Sequence, residues 1–337
     1  MEEMVSDIPA LINQEEKLRL ESPISEEEVK NAIWSLHPDK APGPDGFPIC
    51  FYRSFWSLIK KYLLRLITWM AKGNMGGATN STFLALIPKE PNPSSIKKFR
   101  PISLCNASYK IFSKVLSLRL KKIIPSLISP NQGGFLSGRQ ISDNILLVQE
   151  AIHSSSKRGE PGMAIKLDLA NAFDRLRHSF IILVLKSFGF PETFILQVQA
   201  CITSPWIAPL INGRPSAFFK ASRGVRQGCP LSPFLYILVA DSLSRRLNRL
   251  QAEGSLPGLS FRGSVPPINH ALFADDTILL GIASPQIARN FLRPLDIFLK
   301  SSGSSVNLQK SQIYGWNCPS ATLCSISQIL KIKFNPN

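Results

Sequence analysis

Apolar residues recur along this chain at two spacings. Val29, Ala32, Ile33 and Leu36 fall three and four apart, the stripe of an amphipathic helix. Ser25 and Glu28 stand where a capping box would open that helix, and His37-Pro38 where it would stop. Residues 47–73 carry the same spacing, with Trp56, Leu58, Ile59, Leu63, Leu64 and Ile67 as core candidates. A basic amphipathic helix is predicted over 109–127, and further helices over 142–156, 170–185 and 284–301. A long apolar helix follows the Pro230–Pro233 turn and runs through Leu250.

Period two marks the strands. In 163–169, Met163, Ile165, Leu167 and Leu169 share one face, while Ala164, Lys166 and Asp168 share the other. Runs at 83–88, 99–104 and 312–315 also read as strands. Residues 205–219 suggest a strand pair turning at Asn212-Gly213. Ala271-Leu272-Phe273-Ala274 and Thr277-Ile278-Leu279-Leu280 frame Asp275-Asp276, so both carboxylates fall at a hairpin turn. Residues 40–46, 89–98, 131–140 and 226–233 read as loops. Helix-rich, mixed order with a small antiparallel sheet gives an α+β class.

Composition changes this picture in one respect. The chain has 337 residues, enough for two or three subdomains, and its 44% apolar content is ordinary for a globular protein. The net charge of +16 is not ordinary, and it is uneven. Residues 1–30 hold nine acidic and three basic side chains, a balance of −6, which leaves +22 for the remainder. Such a surplus attracts a polyanion, either nucleic acid or an anionic membrane surface. No run is apolar for long enough to span a bilayer. Cys50, Cys105, Cys201, Cys229, Cys318 and Cys324 form no Cys-x-x-Cys pair, which argues against a zinc site and for a reducing, intracellular home.

The candidate chemistry centres on aspartates. Two adjacent carboxylates at one turn repel each other, and a hard divalent cation with oxygen ligands is the natural partner. With Asp168 on a neighbouring strand, Asp275 could bridge two ions, and Leu169 could add its carbonyl. Such a pair activates a 3′-hydroxyl and neutralises a triphosphate during nucleotidyl transfer. Taken alone, Asp168 reads better as a turn or cap residue. Phe173 lies where it could wall a sugar and exclude a 2′-hydroxyl, with a core position as the competing reading. Lys89 and Arg100 suit triphosphate oxygens, although a solvated basic loop explains them in isolation. Gln227-Gly228 permits a close backbone approach or is an ordinary helix entry. Lys310 could protonate a leaving group or sit on the surface.

Together these segments resemble the reverse transcriptase domain of plant non-LTR, LINE-type retrotransposons. The ordered blocks are Ala41-Pro42-Gly43-Pro44-Asp45-Gly46, Leu86-Ile87-Pro88-Lys89, Phe99-Arg100-Pro101-Ile102-Ser103-Leu104, and Asn131-Gln132 with Phe135 and Gly138-Arg139-Gln140. Lys166-Leu167-Asp168 with Ala172-Phe173-Asp174, the run from Gly224 to Pro233, Phe273-Ala274-Asp275-Asp276 and Asn307-Leu308-Gln309-Lys310-Ser311 complete the series. The resemblance implies a right-hand polymerase, with an acidic segment at 1–24, fingers at 25–160, palm at 161–316 and a tail at 317–337. It implies RNA-templated DNA synthesis with two magnesium ions, an RNA template, a DNA primer and deoxynucleoside triphosphates. By motif, Asp168, Asp275 and Asp276 are the catalytic carboxylates and Phe173 the sugar-gating aromatic. Lys89 and Arg100 contact the triphosphate, Gln227 and Gly228 position template and nucleotide, and Lys310 assists the leaving group.

Family members usually add an endonuclease, a thumb and a C-terminal region. Residues 1–24 are too few for the first, and the chain stops soon after the last shared block, so a fragment or decayed element is expected. A group II intron maturase-type polymerase is a rival without the Ala41–Gly46 loop. A metal-dependent nuclease lacks a use for Lys89, Arg100, Phe173 and Gln227. A nucleic-acid-binding remnant without catalysis is the alternative from another class. The resemblance suggests the nucleus as the compartment.

Overall fold

A computed structural model describes residues 1–261 and 265–335, so residues 262–264 of the expected palm and 336–337 of the expected tail lie outside the described part. The chain forms two compact units. One comprises Met1–Ala10, Ile124–Arg175 and Tyr236–Asn337, the other Leu11–Ile123 and Leu176–Leu235.

The first unit is built on a sheet whose strand order is Lys333–Phe334, Gln312–Trp316, Gly162–Leu167, Asp276–Ile282, His270–Phe273. The last four strands pair antiparallel, while Lys333–Phe334 runs parallel to its neighbour. The alternation read in 163–169 sets the two faces. Met163, Ile165 and Leu167 are buried on one side. That side meets Phe291 and Leu323, whose rings and methyls crowd Gly281 and Gly315, from helices Pro285–Ser302 and Ser320–Leu330. The opposite face is apolar too at its far end. Ala164, Ala271 and Leu280 pack with Val148 and Ala151 of helix Ile141–Lys157. Toward Lys166 and Asp168 this face opens to solvent. Burial therefore holds one end of the central strand rigidly and presents the other.

The second unit has its own five-stranded sheet. Phe99–Cys105 pairs antiparallel with Ser81–Pro88, which runs parallel to Trp206–Ile211. Arg214–Pro215 and Phe219–Lys220 flank the last of these, and Asn212 and Gly213 turn the strand with φ of 50° and 76°, as the Asn-Gly pair predicts. The capping box at Ser25 and Glu28 forms in both directions and opens helix Glu26–Ser35. The Ala41–Gly46 loop serves the helix Ala107–Leu127: the Asp45 carboxylate accepts the Ala107 N–H at 2.7 Å, and Lys110 Nζ donates to the Ala41 carbonyl at 2.7 Å. Gly43 lies so close that a Cβ would stand 2.4 Å from the Cys105 carbonyl carbon.

The α+β class holds, with more sheet than the small antiparallel one expected. Two helices differ from expectation. Residues 47–73 form Ile49–Ser54 and Trp56–Ala71, interrupted at Phe55 (φ −102°, ψ 18°). Leu63 and Ile67 are buried as expected, with Met70 on the same stripe, whereas Leu58, five residues before Leu63 and so turned well away from that stripe, is 71% exposed. Residues 170–185 likewise split into Ala172–Arg175 and His178–Phe188.

Candidate active site

The strand Gly162–Leu167 ends with Leu167 opposite Thr277, so Asp168 comes next to Asp276 in the register. Across the hairpin, Phe273 pairs with Asp276, leaving Ala274 and Asp275 as the two-residue turn. Sequence periodicity thus delivers all three aspartates to one end of the first unit's sheet. Asp275 feels both neighbours. Desolvation by surrounding protein atoms pushes its carboxyl up from the usual carboxylate range, and the charges of Asp276 and Asp168 push the same way. Asp275 and Asp276 are exposed and Asp168 is half-buried.

Among the described residues, no group of three or more histidine, cysteine or acidic side chains is drawn together closely enough to hold a metal ion. Bare carboxylates repel, so this triad has no reason to close without a counter-charge. Its donor set is nonetheless all oxygen, and three carboxylates share one end of the sheet. These residues fit a hard divalent cation.

The backbone of Asp168 is fixed from the segment carrying Lys310. The Asp168 N–H donates to Ser311 Oγ at 3.1 Å, and its carbonyl accepts the Asn307 N–H at 2.8 Å. Leu169 bridges Val306, and the Ala170 N–H donates to the Ser305 carbonyl at 2.8 Å. Ser311 is buried, whereas Lys310 is exposed. The Asn307–Ser311 block therefore holds a carboxylate strand in place, a role that no local sequence signal announces.

Phe173 is half-buried and stacks on Tyr236, with centroids 4.9 Å apart and planes 18° from parallel. Tyr236 is itself buried. Desolvation drives its hydroxyl well above the usual tyrosine range, with Asp275 and Asp276 adding to the shift. The ring pair is thus a neighbour of the acidic turn.

The remaining candidates belong to the second unit. Lys89 and Arg100 are exposed on the Ser81–Pro88 and Phe99–Cys105 hairpin, where the Lys89 N–H donates to the Lys98 carbonyl at 2.8 Å. The Gln227 carbonyl accepts the Ser103 N–H at 2.8 Å, which seats the loop against the same hairpin. Gly228, exposed and at φ 96°, follows it. Beneath the loop lies a residue that composition did not single out. Arg226 is 8% exposed, sits 3.6 Å over the Tyr109 ring centroid, and donates to Thr82 Oγ1 and the Cys201 carbonyl, each at 3.0 Å.

Residues 87–323 match the family described as reverse transcriptase (RNA-dependent DNA polymerase). The chain is 31% identical over 311 residues to a Transposon TX1 uncharacterized 149 kDa protein of Xenopus laevis, covering 92% of this chain and 23% of that protein. It is 31% identical over 292 residues to the retrovirus-related Pol polyprotein from type-2 retrotransposable element R2DM of Drosophila melanogaster, covering 87% and 26% respectively. A 68-residue stretch is 52% identical to an uncharacterized mitochondrial protein of Arabidopsis thaliana, covering 20% of this chain and 56% of that protein. The chain thus spans 23% and 26% of the two longer relatives.

Proposed function

Since this chain belongs to the reverse transcriptase (RNA-dependent DNA polymerase) family, we propose that it is the RNA-directed DNA polymerase domain of a plant non-LTR, LINE-type retrotransposon. The observation that carries the reading is the arrival of Asp168, Asp275 and Asp276 at one end of a single sheet. Two magnesium ions, when bound, would supply charge neutralisation for the attacking hydroxyl and the triphosphate. Asp168 and Asp275 would hold them, with the Leu169 carbonyl as a further donor. The chain's own residues do the rest. The fixed backbone of Asp168 keeps one donor from drifting, and the Phe173–Tyr236 stack offers a rigid edge against which a deoxyribose can lie. Lys89 and Arg100 take the triphosphate, Gln227 and Gly228 position template and nucleotide, and Lys310 offers its proton to the leaving pyrophosphate.

The basic surplus supports an RNA template and a DNA primer as partners. We place fingers at 25–160 and palm at 161–316, and the working compartment in the nucleus. Among the described residues no helix is long and apolar enough to cross a membrane.

The test is extension of a DNA primer on an RNA template with magnesium, comparing the chain with Asp275→Asn. Synthesis that disappears in the variant, with RNA affinity unchanged, supports a polymerase. Salt-sensitive RNA binding without synthesis in either protein overturns it in favour of a binding remnant.

A further inference from the structure

Ala274 is an odd residue for its place. It occupies the first turn position at φ 56°, in the left-handed region that glycine or asparagine usually fills. A side chain held there costs about 1 kcal/mol or more, and persists only when its surroundings over-determine it.

The surroundings do so through Gln132, which is completely buried. Its Oε1 accepts the N–H of Ala274 at 2.8 Å and that of Gly134 at 2.8 Å, while its Nε2 donates to the Ala274 carbonyl at 3.2 Å. Every side-chain bond of Gln132 is thus spent on this turn or on the loop that brings Gln132 to it. The loop is docked as an added strand: the Leu272 N–H donates to the Asn131 carbonyl and the Gly133 N–H to the Leu272 carbonyl, each at 2.8 Å. Asn144 adds a bond to the Leu272 carbonyl at 2.6 Å. Gly134 is obligatory for the approach, because a Cβ there would stand 2.4 Å from Ala274 N. Arg139 locks the loop from behind, donating to the Ser129 and Gln132 carbonyls at 2.7 Å each.

We propose that Gln132 is a positioning residue that clamps the Ala274–Asp275 turn and so fixes where the Asp275 carboxylate meets its metal. The inference rests on the polymerase reading for its consequence, though not for its geometry. Gln132 touches no reacting atom. It acts through the peptide that precedes Asp275, as outer partners of metal ligands do, whose loss typically costs 10–100-fold in affinity or activity.

The experiment uses the full chain with Gln132→Met, which keeps the volume and removes all three bonds, and Gln132→Glu, which keeps the acceptor for both N–H groups. The Met variant is expected to lose about 10–100-fold in kcat for RNA-templated synthesis, with the nucleotide KM changed by less than about twofold. Hydrogen exchange at the Ala274 amide should accelerate by at least about tenfold, and Mn2+ affinity, read by electron paramagnetic resonance, should fall. The Glu variant should keep the Ala274 amide protected, and it carries the test if the Met variant fails to fold. An Ala274 amide equally protected in the Met variant overturns the clamp. So does lost protection with unchanged kcat. If the unmodified chain makes no DNA, the polymerase reading fails, and Mn2+ affinity together with Ala274 exchange decides the clamp: unchanged affinity overturns it.

Discussion

Lowering the pH from 7 to 5 should destabilise the first unit by way of one imidazole. His270 opens the strand that feeds the acidic turn, and it is completely buried. Asn269 donates through Nδ2 to the Leu247 and Leu256 carbonyls, so its Oδ1 is left as the acceptor facing His270 Nδ1 at 2.6 Å. The ring therefore carries its proton on Nδ1, and Nε2 accepts from the Ser244 hydroxyl at 2.7 Å. A second proton would put an unpaired charge in this interior. Burial accordingly depresses the imidazole from 6.5 to about 3. The unfolded chain takes up the proton that the folded chain refuses, so the stability is whole above pH 6.5 and is lost as pH falls toward 3. Each pH unit inside that window is worth about 1.4 kcal/mol, and pH 5 should cost about 2 kcal/mol relative to pH 7. Urea unfolding at pH 7, 6 and 5, compared between the chain and His270→Gln, isolates this group from the carboxylates. The difference in stability between the two proteins should shrink by about 2 kcal/mol across the range. A constant difference would refute the reasoning.

Three further outcomes follow from local geometry. Ala274→Gly removes the strain of a positive φ and should raise stability by about 0.5–1 kcal/mol in urea titrations. Gly162→Ala would drive a Cβ to within 2.1 Å of the Trp316 ring, and a loss of about 1–3 kcal/mol is expected in thermal unfolding. Ser311→Ala removes the acceptor of the Asp168 N–H, so primer extension should drop while stability falls by about 1–3 kcal/mol.

What the sequence made legible was local. The capping box at Ser25 and Glu28, the Asn212-Gly213 turn and the Asp275 hairpin each need only a few neighbouring residues, and each formed. The break at Phe55 carries no proline or glycine to announce it, and Leu58, apolar but off the stripe of Leu63, Ile67 and Met70, is exposed. Helix Glu192–Thr203 buries one face, Phe194, Ile195, Val198, Cys201 and Ile202, but polar Gln197 lies within that face and apolar Leu196 stands exposed outside it, which blurs the stripe in the sequence. Of the candidate site, the aspartates stand out by pattern, and Phe173 by the resemblance. The supports do not. Gln132 meets Ala274 across 142 residues of chain and Ser311 meets Asp168 across 143, and no periodicity encodes such a meeting.

The first ten residues have a consequence for synthesis on the ribosome. Asp7 is clasped by Arg246 at 3.0 Å and Arg249 at 2.6 Å, while Met4, Val5 and Ile8 are buried in the same unit. Their partners emerge from the exit tunnel more than 200 codons later, a wait of about 10–50 seconds at ordinary elongation speeds. Throughout that interval Met4, Val5 and Ile8 stand open to chaperones and proteases, and only the late arrival of Arg246 and Arg249 lets the segment find its seat.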